Sequence, residues 1–286
     1  IEIDCLKLIR RFLEVDNPPI QQIVDVIPLL SRWLSGGDEY KMEAASSLKS
    51  ILARGTEEHR KLVIDAGVIP NFSRLLQSSK DCIVKVVVLA LVDILTKGVA
   101  HATDGKKEHI EAMVEAGGIS RLVNLLDSSD SVCIESSLRL LAFAAEDHTQ
   151  RSIDAGVLPH LLRIMMLPDQ TNIILANCSV LLRKILEVEN TPIQQVIDAN
   201  FVPRLVEIVK TTEVDIIQTN LAHVCICLVG GSTSEQIDLL VKEEGFLAML
   251  VGLQDSPVVT ISERATSCLE GIANDRSTYQ VESSDS

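Results

Sequence analysis

The sequence predicts an all-α fold, a right-handed solenoid of about six complete three-helix repeats preceded by a fragment of another. Three observations support this prediction: a segment that recurs 173 residues later, a turn signature that recurs at shorter intervals, and the composition. The 286 residues are 47% hydrophobic but only 3% aromatic, so Leu, Ile, Val and Ala must supply the core. This composition favours closely packed helices.

Residues 8–25 and 181–198 are two copies of one segment. They are identical at 11 of 18 positions and lie 173 residues apart. No single supersecondary unit is that long, so a shorter unit must repeat between them. We interpret the segment as the joint after a third helix, where Pro19 and Pro192 reset the chain for the first helix of the next repeat.

A second signature defines the length of the repeat. An acidic residue, a small residue and a turn residue precede two apolar residues and usually a proline, as at 65–70 and 154–159. The six copies end at positions 28, 70, 120, 159, 203 and 248, a mean interval of 44 residues. Helical patterning with a period in the low forties is typical of HEAT or armadillo arrays.

Each unit is predicted to contain three helices. A short first helix, such as 57–64, ends at a residue that can adopt the left-handed conformation, namely Gly67, Gly156 or Asn200. Proline then starts the second helix, as at Pro70. A polar turn leads to a long third helix that is apolar on more than one side, so it must pack on its neighbours.

The predicted array is a single domain, residues 1–275. Residues 98–109 are an insertion that we expect to be a flexible loop, and the acidic, Ser-rich tail 276–286 is predicted to be disordered. The repeats are expected at about 1–16 (partial), 17–55, 56–98, 99–147, 148–189, 190–231 and 232–275.

Composition and charge exclude several classes of function. The net charge of −14 argues against a nucleic-acid partner, because binding phosphates requires a basic face. The longest apolar run, 86–92, is far shorter than the roughly 18 residues that span a bilayer. Seven cysteines without a CxxC pair predict buried free thiols in a reducing compartment, the cytosol or the nucleus.

The residue patterns predict neither an enzyme nor a site for a cofactor or a metal. The glycines and lysines of the insertion lack the spacing and the following Ser or Thr of a phosphate loop. His223 and Cys227 would supply only half of a metal site, so we prefer a core thiol and a histidine on the binding face. His59, His148 and His160 occupy polar positions and are expected to be solvated.

Several motifs together resemble the armadillo domain of importin-alpha, the adaptor that carries nuclear-localisation signals. They are the sequence Asn-Pro-Pro-Ile-Gln-Gln at 17–22, Val-Ile-Asp-Ala-Gly-Val-Ile-Pro at 63–70, Glu-Ala-Ala at 43–45, and the stretches 10–13, 202–207 and 231–236. The resemblance extends from residue 1 to about residue 275. It implies an armadillo-repeat solenoid that binds extended peptides or proteins along a groove lined by third helices.

In that family, each third helix carries a Trp and, four residues later, an Asn whose amide clamps the peptide backbone. None of the twelve corresponding positions holds a Trp or an Asn, and Ser267 and Gly271 occupy the last pair. Glu146 matches an acidic position after a third helix that pairs with a peptide lysine in that family. The expected partner-binding residues are Ser46, Ser50, Leu89, Asp93, Leu138, Ala142, Glu146, Val180, Lys184, His223 and Cys227.

Two hypotheses for the function remain open at this stage. The chain is a divergent nuclear-import adaptor whose groove receives a basic or amphipathic cargo segment, with an importin-beta-type carrier bound through a segment upstream of residue 1. Alternatively, it is an armadillo scaffold that has lost signal recognition and binds an unrelated protein. Neither hypothesis requires a cofactor, a nucleic acid or a membrane, and both imply a location in the cytoplasm or the nucleus.

Overall fold

The computed structural model describes residues 2–16, 18, 20–97, 103–188 and 192–284, with 103–105 and 275–284 described by their backbone alone. These residues form 18 α-helices and one 3-10 helix, and they include no strand. The predicted all-α fold is therefore confirmed. The contacts group the chain into two compact units, residues 1–144 and 145–286.

The first unit contains one helix that belongs to no triplet, followed by three groups of three helices. In chain order they are α1 (Glu2–Glu14), a 3-10 helix (Ile20–Val26), α2 (Ile27–Trp33), α3 (Asp38–Arg54), α4 (Glu57–Asp65), α5 (Val68–Leu75), α6 (Asp81–Lys97), α7 (Thr103–Glu115), α8 (Gly118–Leu125) and α9 (Ser131–Ala144).

The second unit contains three further groups of three helices. They are α10 (Thr149–Asp154), α11 (Val157–Met166), α12 (Asn172–Leu186), α13 (Ile193–Asp198), α14 (Val202–Thr211), α15 (Asp215–Gly230), α16 (Ser234–Lys242), α17 (Phe246–Leu253) and α18 (Val259–Ser284). The described residues thus give six triplets plus α1, which is the number of repeats that the sequence predicts.

The third helices pack side by side within each unit. In the first unit α3 lies between α1 and α6, and α6 contacts α9; in the second unit α15 lies between α12 and α18. Leu48 and Leu52 of α3 are fully buried, as are Leu221 and Cys225 of α15. These contacts bury the apolar sides that the sequence pattern leaves without a partner inside a single repeat.

The turn between the first and second helices is the feature that the sequence predicts best. Glycines have positive φ angles of 70° to 81° at this turn in four repeats (Gly67, Gly117, Gly156 and Gly245). Asn200 has a φ of 52° at the equivalent turn and is the only described non-glycine residue with a positive φ. Asn tolerates this conformation better than other residues with a β-carbon, so the prediction is confirmed.

The second helices begin earlier than the sequence suggests. α5, α11 and α14 start at Val68, Val157 and Val202, one or two residues before their prolines. This is possible because none of the N–H groups in the first helical turn has a partner within the helix, so a proline anywhere in that turn removes no hydrogen bond.

Two segments predicted to lack structure contain helix. Residues 98–102 of the insertion lie outside the described residues, but α7 already begins at Thr103. Helix α18 continues to Ser284, well into the predicted tail, and only residues 285–286 of the tail are outside the description. Residues 271–284 contain no proline, and Gly271 does not interrupt the helix, so local chemistry supplies no stop signal.

The doubled segment connects one first helix to the next. Thr56 caps α4: its Oγ1 accepts from the His59 N–H (3.4 Å), and its own N–H donates to His59 Nδ1 (3.1 Å). The ring hydrogen is therefore on Nε2, which donates to Gln21 Oε1 (2.9 Å). His59 is 8% exposed, so the prediction that it is solvated is wrong.

The second copy of the segment makes the same contact with different chemistry. The Gln236 N–H donates to Thr233 Oγ1 (3.4 Å), and the Thr233 N–H donates to Gln236 Oε1 (3.0 Å). Gln236 Nε2 then donates to Oε1 of Gln194, the counterpart of Gln21 (2.9 Å). Each copy thus links a first helix to the N-terminal cap of the following one.

We predict that His59→Gln preserves stability, because Gln236 already performs the same two functions in the second unit. His59→Ala loses both bonds and is expected to lower the free energy of unfolding by about 1–2 kcal/mol. Urea unfolding of the two variants measures this difference. Equal destabilisation by Gln and Ala would contradict the proposed equivalence, and Gln236→His provides the reciprocal control.

Candidate functional site: the exposed faces of the third helices

Each unit presents one candidate binding surface, formed by the exposed sides of its third helices. We call the exposed side of α3, α6 and α9 the N-terminal face, and the exposed side of α12, α15 and α18 the C-terminal face. Most of the expected partner-binding residues lie on these two faces. Ser46, Ser50, Leu89, Asp93, Val180, Lys184, His223 and Cys227 are all partly exposed.

The prediction for α9 is wrong by one residue. Leu138 has no exposed surface and is a core residue, although Ala142 is partly exposed. The turns before α6 and α9 show how these two helices align with each other. The Ser78 hydroxyl accepts from the Lys80 N–H (3.2 Å), and the Ser128 hydroxyl, 50 residues later, accepts from the Asp130 N–H (3.1 Å).

Applying the same offset to α6 identifies different residues in α9. Leu89 then corresponds to Arg139 and Asp93 to Phe143, and both residues of α9 are partly exposed. Sequence comparison missed them because Glu135-Ser136-Ser137 matches the Glu-Ala-Ala pattern by residue type while being out of phase with the helix start. With no Trp or Asn in the helix, no side chain marked the correct register.

Several polar groups on the N-terminal face have partners within the chain. The Asp93 carboxylate pairs with Lys97 (2.7 Å), and Arg139 pairs with Glu135 (3.6 Å). The ammonium of Lys106 lies over the Phe143 ring, 4.1 Å from its centroid, in a cation–π contact. Ser46 and Ser50 contribute small side chains at the positions where the importin-alpha pattern described above has Trp and Asn.

The two copies of the doubled segment each place an arginine between consecutive third helices. In the first unit, Arg10 of α1 pairs with Glu14 (3.2 Å) and with Glu43 of α3 (3.3 Å). In the second unit, Arg183 of α12 pairs with Glu187 (2.7 Å) and donates from Nε to Oδ1 of Asn220 in α15 (2.9 Å). The geometry is repeated, but the second arginine faces one carboxylate instead of two.

Asn177 and Asn220 of the C-terminal third helices each bond within their own helix. Asn177 and Asn220 donate from Nδ2 to the carbonyls of Ile173 (3.0 Å) and Ile216 (2.8 Å), four residues earlier. Asn220 is 7% exposed, and its Oδ1 accepts from Arg183. Burial therefore shields Asn220 from a peptide backbone, and each of its amide atoms already has one partner.

His223 is hydrogen-bonded within its own helix, and Cys227 is partly buried. His223 Nδ1 donates to the Thr219 carbonyl (2.9 Å), which orients the ring, and the residue is partly exposed. Burial is the main cause that raises the pKa of the Cys227 thiol, with Glu187 acting in the same direction. Among the described residues, no group of three or more His, Cys, Asp or Glu side chains could hold a metal ion.

Glu146 lies at the start of the second unit. Its side chain is exposed, immediately after α9 ends at Ala144. It remains a candidate for contact with a partner, as the sequence suggests.

Comparison with known proteins identifies the repeat. The model of the Armadillo/beta-catenin-like repeat matches residues 106–142. Importin subunit alpha-6 of Arabidopsis thaliana is 29% identical over 212 residues, which are 72% of this chain and 38% of that protein. Importin subunit alpha-2 of the same plant is 27% identical over 217 residues, 73% of this chain and 39% of that protein.

Solved structures resemble the fold closely. A designed armadillo repeat protein superposes with a TM-score of 0.64 at 26% identity, covering 86% of this chain and 99% of that one. A second designed armadillo repeat protein, solved in complex with the peptide (KR)4, has a TM-score of 0.61 at 24% identity and covers 86% of this chain and 99% of that one.

The helix triplets and these matches define the fold as an armadillo-repeat solenoid. In sequence, the chain resembles importin-alpha subunits. It spans about two fifths of the length of the curated relatives it matches, at 38% and 39%. In the part of the chain that the structure describes, no helix has both the length and the apolar character needed to cross a membrane.

We predict that Leu138→Ala and Leu89→Ala differ strongly, although the sequence pattern places both leucines at the same position of the repeat. Removing the fully buried Leu138 side chain should lower the free energy of unfolding by about 2–5 kcal/mol. Leu89→Ala should lower it by about 1 kcal/mol or less, because its side chain is already partly exposed. Urea unfolding tests this, and similar small losses would contradict the corrected register.

Thiol reactivity provides a second test of burial. Cys5 and Cys82 are exposed, contrary to the prediction of buried thiols, whereas Cys178 and Cys225 are buried. Burial raises the pKa of these last two thiols, so their thiolate fraction at pH 8 is lower than that of a free cysteine. With an aromatic disulfide reagent, Cys5 and Cys82 should react first and Cys178 and Cys225 only on unfolding; fast reaction of all seven cysteines in the native protein would contradict this.

Proposed function

We propose that this chain is a peptide-binding armadillo module, a scaffold rather than an enzyme, that receives an extended segment of a partner protein on its third-helix faces. The observation that carries the proposal is the row of partly exposed residues on neighbouring third helices, such as Ser46, Ser50, Leu89 and Asp93. The designed armadillo protein solved with (KR)4 supports it, because that protein has the same fold and binds a peptide.

We further propose that recognition does not use the Trp–Asn clamp. No described third-helix position of the two faces holds a Trp, since Trp33 is in α2. Asn220 is 7% exposed, and its amide already bonds to Arg183 and to its own helix. Backbone clamping would therefore have to come from other donors, and we expect (KR)4 to bind weakly.

A divergent nuclear-import adaptor is the second candidate. The importin-alpha relatives favour it, together with the carboxylates of Asp93 and Glu146 near the positions that would meet a basic peptide. This candidate includes a carrier of the importin-beta type bound through another part of the protein, and both candidates imply the cytoplasm or the nucleus. It predicts micromolar binding of (KR)4 that is lost on Asp93→Asn or Glu146→Gln.

Installing the missing clamp tests whether the N-terminal face is a peptide-binding surface. Ser46→Trp with Ser50→Asn adds an aromatic wall and a free amide one helical turn apart, on a face that already has the required spacing. We expect fluorescence anisotropy to show at least about tenfold tighter binding of (KR)4 than the unmodified chain, since one stacking contact and one hydrogen bond each contribute about 1 kcal/mol.

A matched variant separates position from composition. Ser120→Trp creates the same Trp–Asn pair with Asn124 on the exposed side of the second helix α8, changes no charge, and should leave affinity unchanged. If both variants gain equally, or if neither gains, the N-terminal face does not have the proposed role. Tight binding of (KR)4 by the unmodified chain, abolished by Asp93→Asn, would instead favour the import adaptor.

A further inference from the structure

Charge is distributed unevenly in the second unit. Residues 145–286 include 20 acidic and 9 basic residues, so most of the net charge of −14 belongs to this half. Its third helices do not share that excess: within 172–186, 215–230 and 259–274 the two signs are balanced. The acidic residues of these ranges are Asp215, Glu263 and Glu270, and the basic ones are Arg183, Lys184 and Arg264.

Arg183 is held in a fixed orientation with spare donors. Its Nε donates to Asn220 Oδ1 (2.9 Å), and its Nη1 pairs with the Glu187 carboxylate (2.7 Å). No described residue accepts a hydrogen bond from Nη2. A guanidinium fixed in this way can offer its remaining N–H groups to an anion without first losing side-chain entropy.

Lys184 and Arg264 are cations without an ion-pair partner among the described residues. Lys184 is partly exposed, four residues after Val180 on the C-terminal face, and Arg264 is exposed on α18. Burial and Glu187 raise the pKa of the Cys227 thiol, whereas Arg264 and Arg183 lower it. Helices α12 and α18 both pack against α15, and both arginines lie within electrostatic range of Cys227 on that helix.

The equivalent place in the first unit is neutralised. There Arg10 meets both Glu14 and Glu43, whereas in the second unit Asn220 replaces the second carboxylate. Cations in the last turn of α12 also interact favourably with the helix dipole, and this accounts for part of the reason that positions 183 and 184 are basic. That argument does not extend to Arg264, which lies in the second turn of α18.

We propose that Arg183, Lys184 and Arg264 form an anion-binding subsite on the C-terminal face, and that the segment bound there carries Asp or Glu side chains. This inference rests on the proposed peptide-binding function and assigns the chemistry of one part of the ligand. A carboxylate supplies acceptor oxygens for Lys184, for Arg264 and for the Nη2 group of Arg183. The unit thus repels anions over most of its surface but accepts them at the subsite.

Three labelled octapeptides test the inference against the full chain: (ES)4, (QS)4 and (KR)4, measured by fluorescence anisotropy at low and moderate salt. We expect (ES)4 to bind more tightly than (QS)4 and (KR)4, and its affinity to fall with salt. Lys184→Gln and Arg264→Gln should each weaken (ES)4 binding about threefold to fivefold, the range of a partly exposed ion pair.

Lys242→Gln is the matched control, because it removes the same charge from an exposed position on the first helix α16 and should leave (ES)4 binding unchanged. An equal loss in this control would show that only net charge matters and would overturn the inference. Binding of (QS)4 or (KR)4 without (ES)4 would overturn the subsite while leaving the peptide-binding function intact. Binding of none of the three would count against both.

Discussion

The burial of one third helix against the next is the constraint on which the rest of this structure depends. Leu91 of α6 and Leu221 of α15 belong to helices that are apolar on more than one side, so no single repeat can cover them. Packing α3, α6 and α9 side by side, and likewise α12, α15 and α18, buries those sides and leaves a narrow exposed strip on each helix. Residues within the strip can be substituted without disturbing the core, whereas the buried residues on either side of the strip cannot.

The doubled segment follows from the same constraint. Two of its identical positions connect one repeat to the next: Gln21 and Gln194 reach the cap of the following first helix, while Arg10 and Arg183 reach the following third helix. Repeats held only by apolar surfaces could slide along one another, because dispersion contacts are not directional. Hydrogen bonds at fixed positions provide the register that hydrophobic packing does not.

Local chemistry explains how much of this could be predicted from the sequence. The turn at Asn200 depends on a backbone conformation that few residues tolerate, so its residue type is sufficient evidence. The phase of α9 is different, because Leu138 and Leu89 are identical in type and only their burial distinguishes them. The contact of Arg183 with Asn220 joins residues 37 apart, and no local pattern in either helix indicates it.

The two faces also show how binding chemistry can change while architecture is retained. Asn220 and Glu43 both receive the arginine of the preceding third helix, so either residue maintains the joint. They differ by one negative charge, and that charge lies beside the exposed strip where a ligand would bind. A substitution at a structural contact therefore alters the electrostatics of the neighbouring surface without moving a helix. If the proposed subsite binds acidic segments, the choice of partner depends on the joints between repeats as well as on the residues that a ligand touches.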